Sequence, residues 1–390
     1  MQQQSVNVAF MINSLEGGGA ERVMCNLLRI MESYFATEQL NVYLILLDNL
    51  PEAHLCPKYV NKVNLDTKGS LLQGYRQVRL TLEAINPRFC FSFLTRSNML
   101  NVAVARAVGY RAIISERVNT SSHFAGGIKD NISKLMVKMS YPYASEVVAV
   151  SEGVRADLRD NFAVPAARLR VIHNPYDIAH LHELANKPVA DLPARPYIIG
   201  TGRLVKNKNF SLMLEAFAHS DLTDDLLILG QGDEQAALEA QAEQLGLSER
   251  VHFAGFRSNP YPYLKHARFF VSTSNAEGFP NAIVEAMCLG KAVVATNCES
   301  GPAEILSGEY PVTVRGFEAV RYGCLCQTNE VQGVTEALNF LNDEDHLQHY
   351  AQQSAQRAQA FSDDIFREKI IQTLTLDTSE TKEAADVHPG

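Results

Sequence analysis

Short apolar runs rich in β-branched residues recur along this chain, and each gives way to a polar or glycine-marked loop and then to a segment of helical periodicity. Runs 6–12, 42–48, 89–94, 111–115, 146–150 and 169–173 occupy the first half; runs 197–203, 226–233, 251–256, 269–274 and 292–296 occupy the second. Strands that are apolar along their whole length are buried on both faces. Their alternation with helices therefore predicts parallel sheets covered on each side. Ligands in such sheets bind at the carboxyl ends of the strands, so the loops after the strands are where function is expected. A chain of 390 residues exceeds the size at which one core keeps growing, and two α/β domains are expected. Between the halves, residues 174–196 contain four prolines and break the periodicity, which marks a linker. The division expected is 1–185 and 186–354, with a polar, disordered tail at 375–390.

One loop carries more chemistry than the others. After the strand 269–274 comes Asn275-Ala-Glu-Gly-Phe-Pro280 and then a helical run stopped by Gly290. Pro280 suits the start of a helix, where its missing N–H costs nothing. The unpaired N–H groups of the first turn, backed by the helix dipole, favour an anion. Glu277 lies in the loop and Glu285 in the helix, and carboxylates accept hydrogen bonds from hydroxyls. A ligand with both phosphate and hydroxyls fits, although two solvated glutamates would give the same spacing. Gly17-Gly18-Gly19 forms a second strand-loop-helix cradle. A dinucleotide fingerprint would need a third glycine where Arg22 stands. Asp48, closing the second strand, occupies the place of a ribose-binding acid, which keeps a nicotinamide-dependent oxidoreductase as an alternative.

Two further segments are candidates. Glu116, Arg117 and Asn119 follow one strand end directly, and Ser151 follows the next, where a helix cap explains it equally well. In 128–139, the apolar residues 128, 132, 135, 136 and 139 share one helical face, with Lys134 and Lys138 on another. The ordinary expectation is a face turned to the core. The alternative is a cationic helix at a membrane surface, meeting lipid head groups or pyrophosphate.

A net charge of −9 argues against nucleic acid as a partner. The first residues lack the pattern of a signal peptide, and no apolar run approaches the ~20 residues of a membrane span. The seven cysteines include no C-x-x-C pair and sit mostly in apolar runs, as buried thiols do in a reducing compartment. A cytoplasmic protein is expected.

Taken in order, Gly17-Gly-Gly-Ala-Glu-Arg22, Gly202-Arg-Leu with Lys208-Asn-Phe210, Gly230-Gln-Gly232, Gly255-Phe256, and Glu277-Gly-Phe-Pro with Glu285-Ala-Met resemble the retaining glycosyltransferases of family four. The likeness spans roughly residues 5–370. It implies a GT-B architecture: two Rossmann-like, doubly wound domains facing across a cleft, with a last helix, about 355–372, returning to the first domain. It also implies a nucleotide sugar, most often UDP-linked, as co-substrate. Arg203 and Lys208 match the basic pair on the diphosphate, Glu277 the acid on the donor-sugar hydroxyls, and Glu285 the acid on the ribose. Gly278, Phe279, Pro280 and Phe256 belong to the matching donor segments, and the amides of Gly18 and Gly19 would approach the donor from the other domain.

Such enzymes are thought to work by front-face attack, with the departing phosphate taking the acceptor's proton, so no protein nucleophile is needed. For a double displacement, Glu116 is the one candidate. No metal is expected: the sole Asp-x-Asp, Asp343-Glu-Asp345, reads as a charged helix start. The sequence departs from many relatives in having Ser115-Glu-Arg-Val-Asn119 where they carry a histidine, with Arg117 or His123 as replacements. That segment, the lysine helix and Ser140-Tyr-Pro142 resemble bacterial enzymes that extend oligosaccharides on undecaprenyl diphosphate. The resemblance implies a lipid-linked or other surface-glycan acceptor at the inner membrane, with Glu116, Arg117, Asn119, Lys134 and Lys138 on the acceptor side. A catalytically silent nucleotide-sugar-binding protein is the remaining rival.

Overall fold

The computed structural model describes residues 6–124 and 126–375. The tail expected beyond Thr375 lies outside the described residues. Two compact units emerge, each an α/β unit built on a seven-stranded sheet.

In the first unit the strands are β1 Val6–Ile12, β2 Leu40–Leu46, β3 Asn61–Asn64, β4 Phe89–Phe93, β5 Arg111–Glu116, β6 Glu146–Ala149 and β7 Leu169–Val171. Their order across the sheet is β3-β2-β1-β4-β5-β6-β7, all parallel. Successive side chains on a strand point to opposite faces. Accordingly Val8, Phe10 and Ile12 join one hydrophobic core while Ala9 and Met11 join another on the far side.

The second unit holds β8 Tyr197–Thr201, β9 Asp225–Leu229, β10 Val251–Gly255, β11 Phe269–Ser272, β12 Ala292–Thr296, β13 Phe317–Val320 and β14 Gly323–Cys326. Their order is β10-β9-β8-β11-β12-β14-β13, with only the β13–β14 hairpin antiparallel. The two orders match strand for strand through the first five. Both are doubly wound, with the winding reversing between β1 and β4 in one sheet and between β8 and β11 in the other. β3, β13 and β14 lie outside the apolar β-branched runs: Asn61–Asn64 is polar, Phe317–Val320 is largely exposed, and Gly323–Cys326 holds no β-branched residue.

The chain leaves the first unit after Pro175, ten residues before the boundary expected from the prolines. The intervening residues are not a free linker. Ile178–Ala185 forms a helix, capped by Asp177, and belongs to the second unit. The return is also shorter than expected: Glu344–Ala358 is a helix of the second unit, and the helix Asp363–Thr375 alone rejoins the first. Its Phe366, Ile370 and Leu374 enter the β1-centred core, each contributing about 1.5–3 kcal/mol by burial. Arg29 pairs with Asp363 at 2.8 Å, and the Arg111 guanidinium donates to the carbonyls of Thr373 and Leu374 at 3.1 and 3.0 Å. Those bonds satisfy last-turn carbonyls that would otherwise lack partners.

Candidate functional site

The reversal between β8 and β11 places the loops after these two strands side by side, and in such sheets that crevice is where ligands bind. Three glycine-marked strand ends are stacked there. Gly230 N–H donates to the Gly255 carbonyl at 2.9 Å, Gly202 N–H to Leu229 at 2.9 Å, and Leu204 N–H to Gln231 at 3.0 Å. A Cβ on Gly230 would lie 1.8 Å from the Gly202 carbonyl oxygen, and one on Gly232 2.3 Å from that of Leu204. The two glycines of the Gly-Gln-Gly motif therefore let backbone meet backbone where no side chain fits, whereas a Cβ on Gly202 would meet only the Lys208 side chain at 3.7 Å and Gly255 is set apart by its left-handed backbone (φ +69°). The packed loops hold Arg203 and Phe256 out at the strand ends, Phe256 being 66% exposed. The Arg203 guanidinium makes no hydrogen bond or ion pair among the described residues.

The loop after β8 is stitched to the loop after β11. Asn275 N–H donates to the Asn207 carbonyl and the Asn207 amide donates to that of Ala276, both at 2.8 Å. The Thr273 hydroxyl donates to the Asn209 carbonyl at 2.8 Å, and the Asn209 amide to Asn275 Oδ1 at 3.2 Å. Asn209 has a left-handed backbone (φ +48°), which asparagine tolerates, and its side chain caps the helix Phe210–His219. Across this seam the Lys208 ammonium forms a direct ion pair with Glu277 Oε1. The pair is partly screened, with the lysine side chain 25% exposed and the glutamate 12%.

Behind the pair, the helix Asn281–Cys288 begins directly after Pro280. A helix start leaves N–H groups without intrahelical acceptors, and here that of Ile283 already donates to the Pro280 carbonyl at 3.1 Å. Glu285, five residues in, is nearly buried. The turn is held by Gly301 (φ +96°), where a Cβ would sit 2.4 Å from Pro280 Cδ. Phe279 is buried with its ring edge-on to Phe361 at 5.6 Å, so its side chain props the loop from behind. The structure thus gathers Arg203, Lys208, Glu277, Gly278, Pro280 and Glu285 around one strand-end crevice. Asn207, Asn209, Asn275 and Gly301 belong to the same assembly, and sequence reasoning misses them. The Asn-Lys-Asn run 207–209 is the signal that could have found two of them.

In the first unit, Gly18 caps and Gly19 opens the exposed start of the helix Gly19–Thr37. The Glu21 carboxylate folds back to where a Gly18 Cβ would stand. Asp48 is not a free ribose acceptor. It pairs with Arg96 and accepts from the Thr67 hydroxyl at 2.9 Å and the Gly69 N–H at 3.4 Å. Burial works to raise its carboxyl, but these donors take it below the ordinary range.

The candidates after β5 turn out to be internal. Glu116 is fully buried. Its Oε2 accepts from the Tyr141 hydroxyl at 2.5 Å and from Thr95 at 3.3 Å, and its Oε1 accepts from the Arg117 N–H at 3.0 Å. Burial pushes its carboxyl above the ordinary range although every one of these bonds opposes the shift. A carboxylate so enclosed is a strut, not a nucleophile or an acceptor contact. Asn119 is 7% exposed and caps a short helix, accepting from Ser122 N–H at 3.0 Å. Arg117 stays half-buried over the Phe93 ring, bonded to Asn174 and to Ser115 Oγ. His123 is exposed. Asp343 caps the helix Glu344–Ala358, in keeping with a charged helix start.

The helix Gly127–Ser140 reverses its ordinary expectation. The face expected to point inward is outward: Ile128, Ile132, Leu135 and Met139 are 80%, 53%, 57% and 65% exposed, and only Val137 is buried. The helical periodicity is present, but which side a helix buries depends on the neighbour it meets. Lys138 is exposed and Lys134 half-exposed on this helix. No described helix is long and apolar enough to cross a membrane. All seven cysteines are free thiols, and burial pushes those of Cys25 and Cys298 up to about 12.

Both halves of the chain match known families. Residues 17–180 match the family model Glycosyltransferase Family 4, and residues 186–358 match Glycosyl transferases group 1. A Campylobacter jejuni N-acetylgalactosamine-N,N'-diacetylbacillosaminyl-diphospho-undecaprenol 4-alpha-N-acetylgalactosaminyltransferase is 28% identical over 368 residues, covering 90% of this chain and 94% of the relative. A second enzyme of that organism, an N,N'-diacetylbacillosaminyl-diphospho-undecaprenol alpha-1,3-N-acetylgalactosaminyltransferase, is 23% identical over 77% of this chain and 80% of its own. Among solved structures, Anabaena HepE in complex with UDP superposes with a TM-score of 0.73 at 20% identity, covering 95% of this chain and all of HepE. The lipopolysaccharide outer core galactosyltransferase WaaB gives 0.74 at 17% identity, over 95% and 99%.

Proposed function

For a chain whose first half belongs to glycosyltransferase family 4 and whose second half belongs to the group 1 glycosyl transferases, making it a hexosyltransferase of GT-B fold, we propose one reaction. It moves a hexose or N-acetylhexosamine from a UDP-sugar to a lipid-linked oligosaccharide, retaining the anomeric configuration without a metal. The observation that carries this reading is the Lys208–Glu277 ion pair across the seam between the loop that holds the exposed Arg203 and the loop that leads into the helix Asn281–Cys288. A diphosphate entering the crevice competes with Glu277 for Lys208. The phosphate then takes the two cations and the helix amides, and the released carboxylate accepts from the sugar hydroxyls. Glu285 holds the ribose, and Phe256 offers an exposed aromatic face to the base.

In the reaction the bond from the anomeric carbon to the phosphate oxygen breaks and a bond to the acceptor oxygen forms on the same face. The acceptor's proton passes to the departing phosphate. Charge accumulates on that phosphate, where fixed cations and amides stabilise it most. With Glu116 enclosed, no carboxylate remains for a double displacement at the position the sequence suggested. Asp48, tied to Arg96, gives the nicotinamide reading nothing to stand on.

The acceptor side is supported by the helix Gly127–Ser140. Four exposed apolar side chains flanked by Lys129, Lys134 and Lys138 suit the boundary between acyl chains and anionic head groups. The names of the two Campylobacter relatives place their substrates on undecaprenyl diphosphate, in keeping with an acceptor at that boundary. A peripheral position on the cytoplasmic face of the inner membrane completes the reading.

Thermal unfolding in EDTA with UDP, GDP, NAD and a panel of UDP-sugars tests the donor. A ligand at about 100 times its dissociation constant adds ~2.7 kcal/mol, a shift of several degrees. UDP and one or two UDP-sugars should produce it; a shift with NAD alone would overturn the reading. Flotation with anionic vesicles tests the helix. Replacing Ile128 and Leu135 by serine should lower vesicle binding, and unchanged binding removes the membrane role.

A further inference from the structure

Apart from the three residues Ser151–Gly153, which group with the second unit, the chain passes between the units at Pro175–Tyr176 and again at Ser362–Asp363. On the second unit's side these two passages lie together: Tyr176 N–H donates to the Phe361 carbonyl at 3.0 Å, and Tyr176 and Ser362 form a parallel bridge. Both aromatic side chains are buried, Tyr176 to 6% and Phe361 to 2% exposure. Each reaches the same short stretch of the proposed donor loop. The Tyr176 hydroxyl bonds to Asn281 Oδ1 at 2.6 Å, at the first residue of the helix Asn281–Cys288. The Phe361 ring meets Phe279 edge-on, at an interplanar angle of 66°. On its other side Phe361 is covered by the Arg357 guanidinium at 4.9 Å, which is itself fixed by bonds to the carbonyls of Glu304 and Ile305 at 2.7 and 3.1 Å.

The segment 277–281 is therefore held at two ends by different things. Glu277 is held by Lys208, which a bound phosphate would take away. Phe279 and Asn281 are held by the two chain passages. Resting on the donor reading above, we propose that Tyr176 and Phe361 are positioning residues for the nucleotide-sugar site. They transmit the path of the chain at its two passages to the first turn of the helix Asn281–Cys288, and a ligand that fixes that turn fixes the passages in return. Such coupling is reciprocal by necessity. A rigid contact suits the task because packed aromatic groups shift as units.

The test uses Tyr176→Phe in the full chain, which removes one hydroxyl and keeps the ring. The Michaelis constant for the UDP-sugar should rise by a factor of about 2 to 13, the span of a single hydrogen bond, while kcat stays near the parent's and the unfolding midpoint falls by no more than a few degrees. Hydrogen exchange measured with UDP separates this from a structural role. UDP should protect 277–283 and also the amides of 176 and 361–363 in the parent; in Tyr176→Phe the first protection should remain and the second fade. Tyr176→Phe added to Asn281→Ser should change the Michaelis constant little further, since the two share one contact. Protection at 277–283 with none at the passages, or an unchanged Michaelis constant, refutes the coupling and leaves the donor site standing. No protection at 277–283 removes the donor site and the coupling with it.

Discussion

Two glutamates stand at the carboxyl ends of parallel strands in this molecule, Glu116 at the end of β5 and Glu277 just beyond β11, and they have opposite fates. Glu116 is sealed in, with Tyr141, Thr95 and backbone amides on its oxygens. Glu277 has a lysine on one oxygen, and part of its surface is open. Both sheets are wound in the same order around the same reversal, so topology does not explain the contrast. The difference lies in the loop that each strand runs into. After β5 the chain turns into a short capped helix, and a tyrosine from the segment after Gly127–Ser140 closes over the acid. After β11 it crosses an open loop that is pinned by asparagine bonds to its neighbour. A buried acid with every site filled cannot exchange partners, whereas one held by a single screened ion pair can. The same fold offers the position twice, and only one of the two acids keeps part of its surface open.

That contrast can be broken at its strongest point first. Glu277→Ala should lower turnover by about 10²–10³, the loss typical of one preorganised transition-state contact, with UDP still bound in calorimetry. Near-normal turnover would remove Glu277 from the site. Next in size, Gly230→Ala forces a Cβ onto the Gly202 carbonyl and should destabilise the second unit by about 1–3 kcal/mol, read as an earlier unfolding midpoint. A midpoint equal to the parent's would show that the loops yield without cost.

The smallest effect belongs to Glu116→Gln, which should leave turnover within about twofold and alter only the dependence of stability on pH. Burial raises the Glu116 carboxyl in the folded state, so the folded protein holds that proton more tightly than the unfolded chain does. Its contribution is complete below the unfolded value, about 4.3, and is lost as pH rises through the higher folded value. The glutamine cannot ionise. The variant should therefore gain on the parent across that window, and parallel midpoint-against-pH curves would contradict the burial argument. Loss of turnover in Glu116→Gln would erase the contrast between the two acids altogether.

Much of this is legible without coordinates. Whole-strand apolarity and strand-loop-helix alternation specify buried parallel sheets, because no other architecture hides both faces of so many strands. The segment from Glu277 to Glu285, with Pro280 and the distant Arg203 and Lys208, marks the crevice because backbone amides and charges at helix starts follow local rules. What local rules do not contain is the neighbour. The exposed face of Gly127–Ser140 has the same periodicity as a buried one, and only the packing partner, which leaves Val137 inside, decides its direction. Glu116 reads as a reactive acid until Tyr141 is folded over it. The proline-rich 174–196 reads as slack until the helix Ile178–Ala185 docks onto the second unit. The elements, their order and the charges at the strand ends are all written along the chain. Packing chose which of those charges stay reachable, because burial is a property of pairs of elements and not of either one.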